Sequence, residues 1–383
     1  MLELLDLRHV GPARELHLEL KPRMNFLAGD NGLGKSFLLD VAWWALTRTW
    51  AREKVIPRRD QGASPGITYR YGAKTGPCEF HSSFNRKTES WSLKQGRPPI
   101  PGMVIYAQVD GGFSVWDPVR NYVQRDSPAD RPLSYIFKVD EVWNGLKEGE
   151  RSLCEGLIRD WASWQREGGE AYHQLTSVLA RLSPSSQDLV PGRLTRISVT
   201  EPIDHPTLQM PYDQEVPLIH ASAGMRRVVA LAYLLVWTWQ EHLHACELQG
   251  EKPAREIIFL IDEVEAHLHP QWQRRIVPAL LDVMEALTGT SDLAVQLLAA
   301  THSPLVLAST ETLFEPDKDA IWELDLRDRQ VDLHESPWAR HGDPNAWLTS
   351  SGFDLREPRS IEAEVAITAE LALLRQRSGR KIP

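Results

Sequence analysis

Residues 29–36 read Gly29-Asp30-Asn31-Gly32-Leu33-Gly34-Lys35-Ser36. This stretch fits the phosphate-loop pattern G-x-x-x-x-G-K-[ST] at every fixed position. The apolar run 24–28 before it predicts a short strand, and the run 37–42 after it predicts a helix. A strand–loop–helix setting is what the motif needs: glycines let backbone N–H groups curl around phosphate oxygens, and the helix N-terminus faces the anion. The expected nucleotide contacts are Gly29, Asn31, Gly32, Gly34, Lys35, Ser36 and Phe37. Lys35 is expected against the β- and γ-phosphates, and the Ser36 hydroxyl on Mg²⁺.

Working outward, residues 257–263 read Ile-Ile-Phe-Leu-Ile-Asp-Glu. Five apolar residues in a row suit a parallel strand buried on both faces. Asp262 then falls at the strand's C-terminal end, where α/β sheets hold ligands, and is expected to help hold the metal. Glu263, beside it, is placed to act as general base on a water molecule.

The residues around these two motifs narrow the class. The run 262–270, DEVEAHLHP, resembles the DEPEAHLHP run of ABC-type ATPases of the SMC, RecF and OLD-like group. Residues 220–227, HASAGMRR, resemble the ABC signature, whose core in this group is S-x-G. Residues 300–304, ATHSP, resemble the switch-histidine motif. The order along the chain is that of the superfamily, and the motifs span 29–304. Two departures stand out: Val264 replaces the usual proline, and Ala223 replaces the first central glycine of the transporter signature. Neither removes a catalytic group, and both point away from transporters.

The resemblance implies an α/β ABC-type ATPase head. Its expected parts are a mostly parallel phosphate-loop sheet, an antiparallel β subdomain and a compact helical insertion. It implies ATP and Mg²⁺ as cofactors and a homodimer closed over ATP, head to tail. Ser222 and Gly224 would then meet the partner's γ-phosphate from the N-terminus of a helix that begins near Met225. His302 is expected to sense the γ-phosphate or orient water, and Gln108 to complete the Mg²⁺ shell. Lys35, Glu263 and His302 form the expected catalytic set; Ser36, Asp262 and Gln108 form the metal set. Arg58 and Arg59 read as a solvated basic turn, although some SMC-like heads aim an arginine at their own nucleotide.

Composition is consistent with a cytoplasmic enzyme. The 383 residues carry 42% hydrophobic residues, enough for a full core. No apolar run reaches roughly 18 residues, so no membrane span is expected. The first residues carry acids and no basic stretch, so no signal peptide is expected. Three scattered cysteines argue for reduced thiols. A net charge of −9 excludes a bulk DNA-coating protein but not a local basic groove for DNA. The 14 tryptophans read as core and interface packing. The histidines at 242, 244, 267, 269 and 302 lack zinc-like spacing with cysteines or acids.

Three segments are expected. Residues 1–120 form a first lobe with the phosphate loop and antiparallel strands near 2–7, 15–20, 67–71, 79–84 and 90–93. Residues 121–192 form the insertion, with helical periodicity over 141–164 and 171–182. Residues 193–383 form a second lobe with the signature, acid strand, switch histidine, a hairpin at 321–334 and a final helix from 361 to 374. That helix either docks a partner or covers the head's own sheet, and a mobile basic tail follows at 375–381. Between Lys35 and Ser222 no heptads are sustained, so no SMC-type coiled coil is expected. Only 81 residues follow His302, too few for the nuclease domain of OLD proteins. A separate nuclease or other effector subunit is therefore the expected partner, in genome maintenance or phage defence. A transporter subunit and a non-hydrolysing scaffold are the alternatives.

Overall fold

The computed structural model describes residues 1–59, 64–72, 78–93, 101–122, 132–185, 188–289, 293–350, 352–353, 355 and 358–378. Its centre is an eight-stranded sheet. In order across the sheet the strands are Gln330–Glu335, Asp319–Arg327, Met24–Gly29, Ala294–Ala300, Glu256–Ile261, Met103–Ala107, Phe113–Trp116 and Tyr135–Phe137. The five from Asp319–Arg327 to Met103–Ala107 run parallel. The outer strands on both sides are antiparallel additions.

Every central strand is buried on both faces, and its residues divide alternately between two cores. Phe26, Ile257, Phe259, Ile261, Leu297 and Ala299 face one core. Leu27, Ile258, Leu260, Leu298 and Ala300 face the other. This is the period-two geometry of a strand applied to an unbroken apolar run. The second core is closed by the phosphate-loop helix Lys35–Thr47 and by the antiparallel sheet of Glu15–Glu19, Leu2–Arg8, Gly66–Tyr71, Cys78–Asn85 and Ser90–Trp91. The first is closed by Leu157–Glu167, Glu170–Leu182, Ile276–Thr288 and the signature helix Ala223–Gln249.

The tryptophans pack as expected. Trp43 and Trp161 are fully buried. Trp44 stacks on Trp50 with centroids 5.4 Å apart, and Trp237 meets Tyr135 and Phe137 edge-on. The expected hairpin forms as Asp319–Arg327 with Gln330–Glu335.

Two elements differ from expectation. The stretch 141–164 is not one helix. It divides into Val139–Asn144, a hairpin of Leu146–Glu148 with Arg151–Cys154, and Leu157–Glu167. Gly145 and Gly156 force the breaks, with φ of 105° and 88°. A Cβ on Gly156 would lie 2.3 Å from the Gly145 nitrogen, so the two turns touch through bare backbone. The final helix runs Ile361–Ser378, and its apolar residues Ile361, Val365, Leu371 and Leu374 are exposed. It does not cover the sheet. Of the basic tail at 375–381, no side chain lies within the described residues.

Because Phe259 is 1% exposed in the middle of the acid strand, Phe259→Ala should cost about 3–5 kcal/mol of stability. Urea unfolding of the two proteins checks this; a loss under 1 kcal/mol would contradict the packing described.

Candidate nucleotide-binding site

Parallel register brings the motifs to one edge of the sheet. Ile261 is level with Ala299 and with Ala107, and Ala300 is level with Leu27. The loops that follow these strands therefore emerge side by side. Backbone hydrogen bonds continue the ladder into them: Asp262 N–H donates to Ala107 O at 2.9 Å, and Thr301 N–H to Leu27 O at 3.0 Å.

The phosphate loop turns on left-handed glycines. Gly29, Gly32 and Gly34 have φ of 127°, 79° and 108°. At Gly29 a side chain is impossible, because its Cβ would lie 2.2 Å from Leu324 O on the neighbouring strand. Lys35 folds over its own loop, donating to Gly29 O at 2.7 Å and Asp30 O at 2.8 Å. Burial pulls its ammonium down to about 8, against the opposing pull of Glu263 and Asp262. Ser36 Oγ donates to Asp262 Oδ1 at 2.8 Å, joining residues 226 positions apart. Asn31 and Gly32 are exposed at the loop tip. Phe37 packs its ring on the Gly11 turn, so any contact of Phe37 with a nucleotide is through backbone.

The expected catalytic groups converge on this loop. Glu263 sits in the left-handed region with φ 50°, which turns it out of the strand line. Its Oε1 lies 4.0 Å from His302 Nε2. Burial, and then the Lys35 charge, hold the imidazole below its ordinary value, while Glu263 and Asp262 pull the other way. Ser36 and Asp262 offer hard oxygen donors of the kind Mg²⁺ takes. Gln108 stands one residue past its strand but turns aside, and its Nε2 donates to Ser114 Oγ at 3.0 Å. Arg58 donates to Pro12 O at 2.7 Å, next to the phosphate loop.

Ser222 and Gly224 stand at the start of the signature helix. Ser222 is exposed and caps the signature helix, its Oγ accepting from Met225 N–H at 3.3 Å. A Cβ on Gly224 would lie 2.6 Å from His267 O, so this turn packs directly on the turn after Glu263.

Three residues of the site escaped sequence reasoning. Arg52 donates to Asp262 Oδ2 at 3.2 Å, to Asp40 Oδ1 at 2.9 Å and to Tyr106 Oη at 2.8 Å. It fixes the Asp262 carboxylate from behind. Arg227, five residues past Ser222, donates to the backbone oxygens of Val109, Asp262 and Glu263 at 2.7, 3.2 and 3.3 Å. Glu265 accepts from Thr301 Oγ1 and from His302 N–H. No local pattern marks Arg52. Arg227 and Glu265 sit inside the quoted motifs, yet the resemblance assigned them no role.

Residues 165–308 match the family described as AAA domain, putative AbiEii toxin, Type IV TA system. The matched segment holds the signature, acid strand and switch histidine, and not the phosphate loop. The retron Vc95 probable ATPase of Vibrio cholerae serotype O1 biovar El Tor is 34% identical over 125 residues, covering 32% of this chain and 22% of that protein. The Septu protein PtuA of Bacillus mycoides (strain KBAB4) is 21% identical over 299 residues, covering 73% of this chain and 34% of that protein. The chain thus aligns with 22% and 34% of the length of these relatives. Among solved structures, the SMC head domain from Thermotoga maritima is 13% identical with a TM-score of 0.43, covering 88% of this chain and 99% of that one. An SMC head bound to the C-terminal winged-helix domain of ScpA is 13% identical with a TM-score of 0.46, covering 88% of this chain and 97% of that one. The motif order and the matched segment are similar to those of ABC-type ATPases of the SMC/RecF/OLD-like group.

The lowered Lys35 value has a measurable consequence. The ammonium loses its proton as pH rises through about 8, and phosphate oxygens favour the charged form. ATP binding near that pH should therefore take up a proton, roughly half of one per site. Calorimetry in buffers of different ionisation heat measures it. Uptake should shrink to about a tenth of a proton at pH 7, where Lys35 is already charged; proton release at pH 8 would contradict the buried lysine.

Proposed function

We propose that the chain binds ATP with Mg²⁺, hydrolyses it, and works as a homodimeric switch. It acts with DNA or with a separate effector subunit, a nuclease by first choice, in genome maintenance or phage defence. The observation that carries this reading is the convergence of Lys35, Ser36, Asp262, Glu263 and His302 on one sheet edge, with Ser36 and Asp262 already hydrogen-bonded.

The chemistry assigned to each residue follows from its position. Lys35 exchanges its two carbonyl contacts for phosphate oxygens and adds a charge where negative charge builds up. Ser36 and Asp262 are the residues that would hold Mg²⁺, which supplies neutralisation of the phosphate oxygens when bound. Glu263 takes the proton of the attacking water through its carboxylate. His302, held neutral by burial and by Lys35, donates or accepts a hydrogen bond beside that water without adding a fixed charge.

Dimerisation is supported by the signature. Ser222 is exposed at the start of the 27-residue helix Ala223–Gln249. The first turn of a helix offers N–H groups and the positive end of the helix dipole to an anion supplied by a partner. The defence part of the reading rests on the kinship with the retron and Septu proteins.

Three variants test the proposal. Lys35→Ala should abolish ATP binding. Glu263→Gln should bind ATP normally but turn over about 10²–10⁴-fold more slowly, since an amide cannot take the water's proton. Near-parental turnover in Glu263→Gln would remove the base assignment. Light scattering on a sizing column should show the Glu263→Gln protein passing from monomer to dimer on addition of Mg²⁺ and ATP. Ser222→Arg should keep ATP binding and block that step. Full-rate hydrolysis in Ser222→Arg would refute the shared site.

A further inference from the structure

Glu265 occupies a position that the proposed chemistry does not use. It is the next acid after Glu263, two residues on, half-buried, and it points across to the loop after the neighbouring strand Ala294–Ala300. Its Oε2 accepts from Thr301 Oγ1 at 2.7 Å. Its Oε1 accepts from the backbone N–H of His302 at 2.5 Å. Thr301 Oγ1 in turn accepts from Ser303 N–H at 3.0 Å. One carboxylate therefore organises three consecutive residues, the middle one carrying the imidazole 4.0 Å from Glu263. A second tie runs in parallel: Gln273 accepts from Ser303 Oγ at 2.7 Å and donates to Leu268 O at 3.0 Å. The turn bearing Glu265 is itself fixed, with Ala266 N–H on Glu263 O and Leu268 N–H on Glu265 O, both at 2.9 Å.

We infer that Glu265 is the positioning residue for His302: it sets the path of the 301–303 loop and so where the imidazole stands relative to Glu263. The inference rests on the proposed hydrolytic site. A carboxylate is needed because both donors require an acceptor. A glutamine has one oxygen and would turn an NH₂ group toward a second donor, and an alanine leaves both donors unpaired. Burial raises the Glu265 carboxyl above its ordinary value, and the His302 and Thr301 bonds oppose that rise. Gln273 and Ser303 are too far along the loop to replace the bond to the His302 N–H itself. Because Gly224 packs against His267 O in the same turn, movement of the signature end of the molecule has a short path to the imidazole through Glu265.

The test uses the full chain with Glu265→Ala, Glu265→Gln and Glu265→Asp. ATP affinity should stay within about twofold of the parent, because Lys35 and the loop are untouched, while kcat should fall at least about tenfold in the first two. Hydrogen exchange of the His302 amide in nucleotide-free protein should speed up at least about tenfold in Glu265→Ala. Glu265→Asp, which keeps two acceptors on a shorter arm, should recover part of both effects. Parental kcat in folded Glu265→Gln, or unchanged His302 exchange in Glu265→Ala, would overturn the inference. Equal losses of ATP affinity and turnover would also overturn it, since they indicate general loosening. Should the parent chain bind ATP without hydrolysing it, the proposed function fails, and the exchange measurement still decides the role of Glu265.

Discussion

The structure depends on the register of three parallel strands. Met24–Gly29, Ala294–Ala300 and Glu256–Ile261 lie side by side with Phe26, Ala299 and Ile261 level. Each feeds one essential loop: the phosphate loop, the switch loop and the acid turn. A slip of one residue in any of them would move its apolar set to the opposite core and its polar end away from the others. The alternation of Ile257, Phe259 and Ile261 against Ile258 and Leu260 makes such a slip costly. The 2.8 Å bond from Ser36 to Asp262 is thus a result of hydrophobic sorting between two cores far larger than the site.

Charge at this edge is balanced with some care. Asp40, Asp262, Glu263 and Glu265 gather there with Lys35, Arg52 and Arg227. The two arginines act differently. Arg52 binds carboxylates directly and takes Asp262 Oδ2, leaving Oδ1 to Ser36. Arg227 instead directs these bonds to backbone oxygens, those of Val109, Asp262 and Glu263. It lends positive potential and stiffness to the acid turn without consuming the groups that chemistry needs. Arginine suits this role because its fork of donors reaches several oxygens at once. Lys35, a point charge on a flexible stem, can instead leave its two carbonyls when phosphate arrives.

The parts legible in sequence were those whose chemistry fixes both residue type and spacing. The phosphate loop permits few substitutions, and a strand buried on both faces must be apolar until it reaches its acids. The central sheet and the hairpin at 319–335 followed from these and from period-two patterning. Arg52 could not be read, because its partners Asp40, Tyr106 and Asp262 are distant in sequence and only the fold brings them together. The stretch 141–164 misled because helical spacing of its apolar residues outweighed Gly145, Gly149 and Gly156, which the backbone uses at positive φ to build a hairpin. The final helix misled in the other direction. Ile361, Val365, Ala369 and Ala372 share one face at helical spacing, yet that face is exposed and does not cover the sheet.

The signature turn shows why one of its glycines is required and the other is not. Gly224 approaches His267 O so closely that a methyl group would sit at 2.6 Å, and there is no room for the carbonyl to retreat without moving the turn that carries Glu263 and Glu265. Its φ is ordinary, so the requirement is contact and not backbone freedom. Ala223, by contrast, is exposed beside it, and its methyl group meets no such limit. The departure from the two-glycine signature therefore falls at the position where the fold can take a side chain. The glycine that remains serves its own chain by packing, before any partner's phosphate is considered. A surface that contacts the signature turn must then press on the acid turn behind it, because the two share that bare contact.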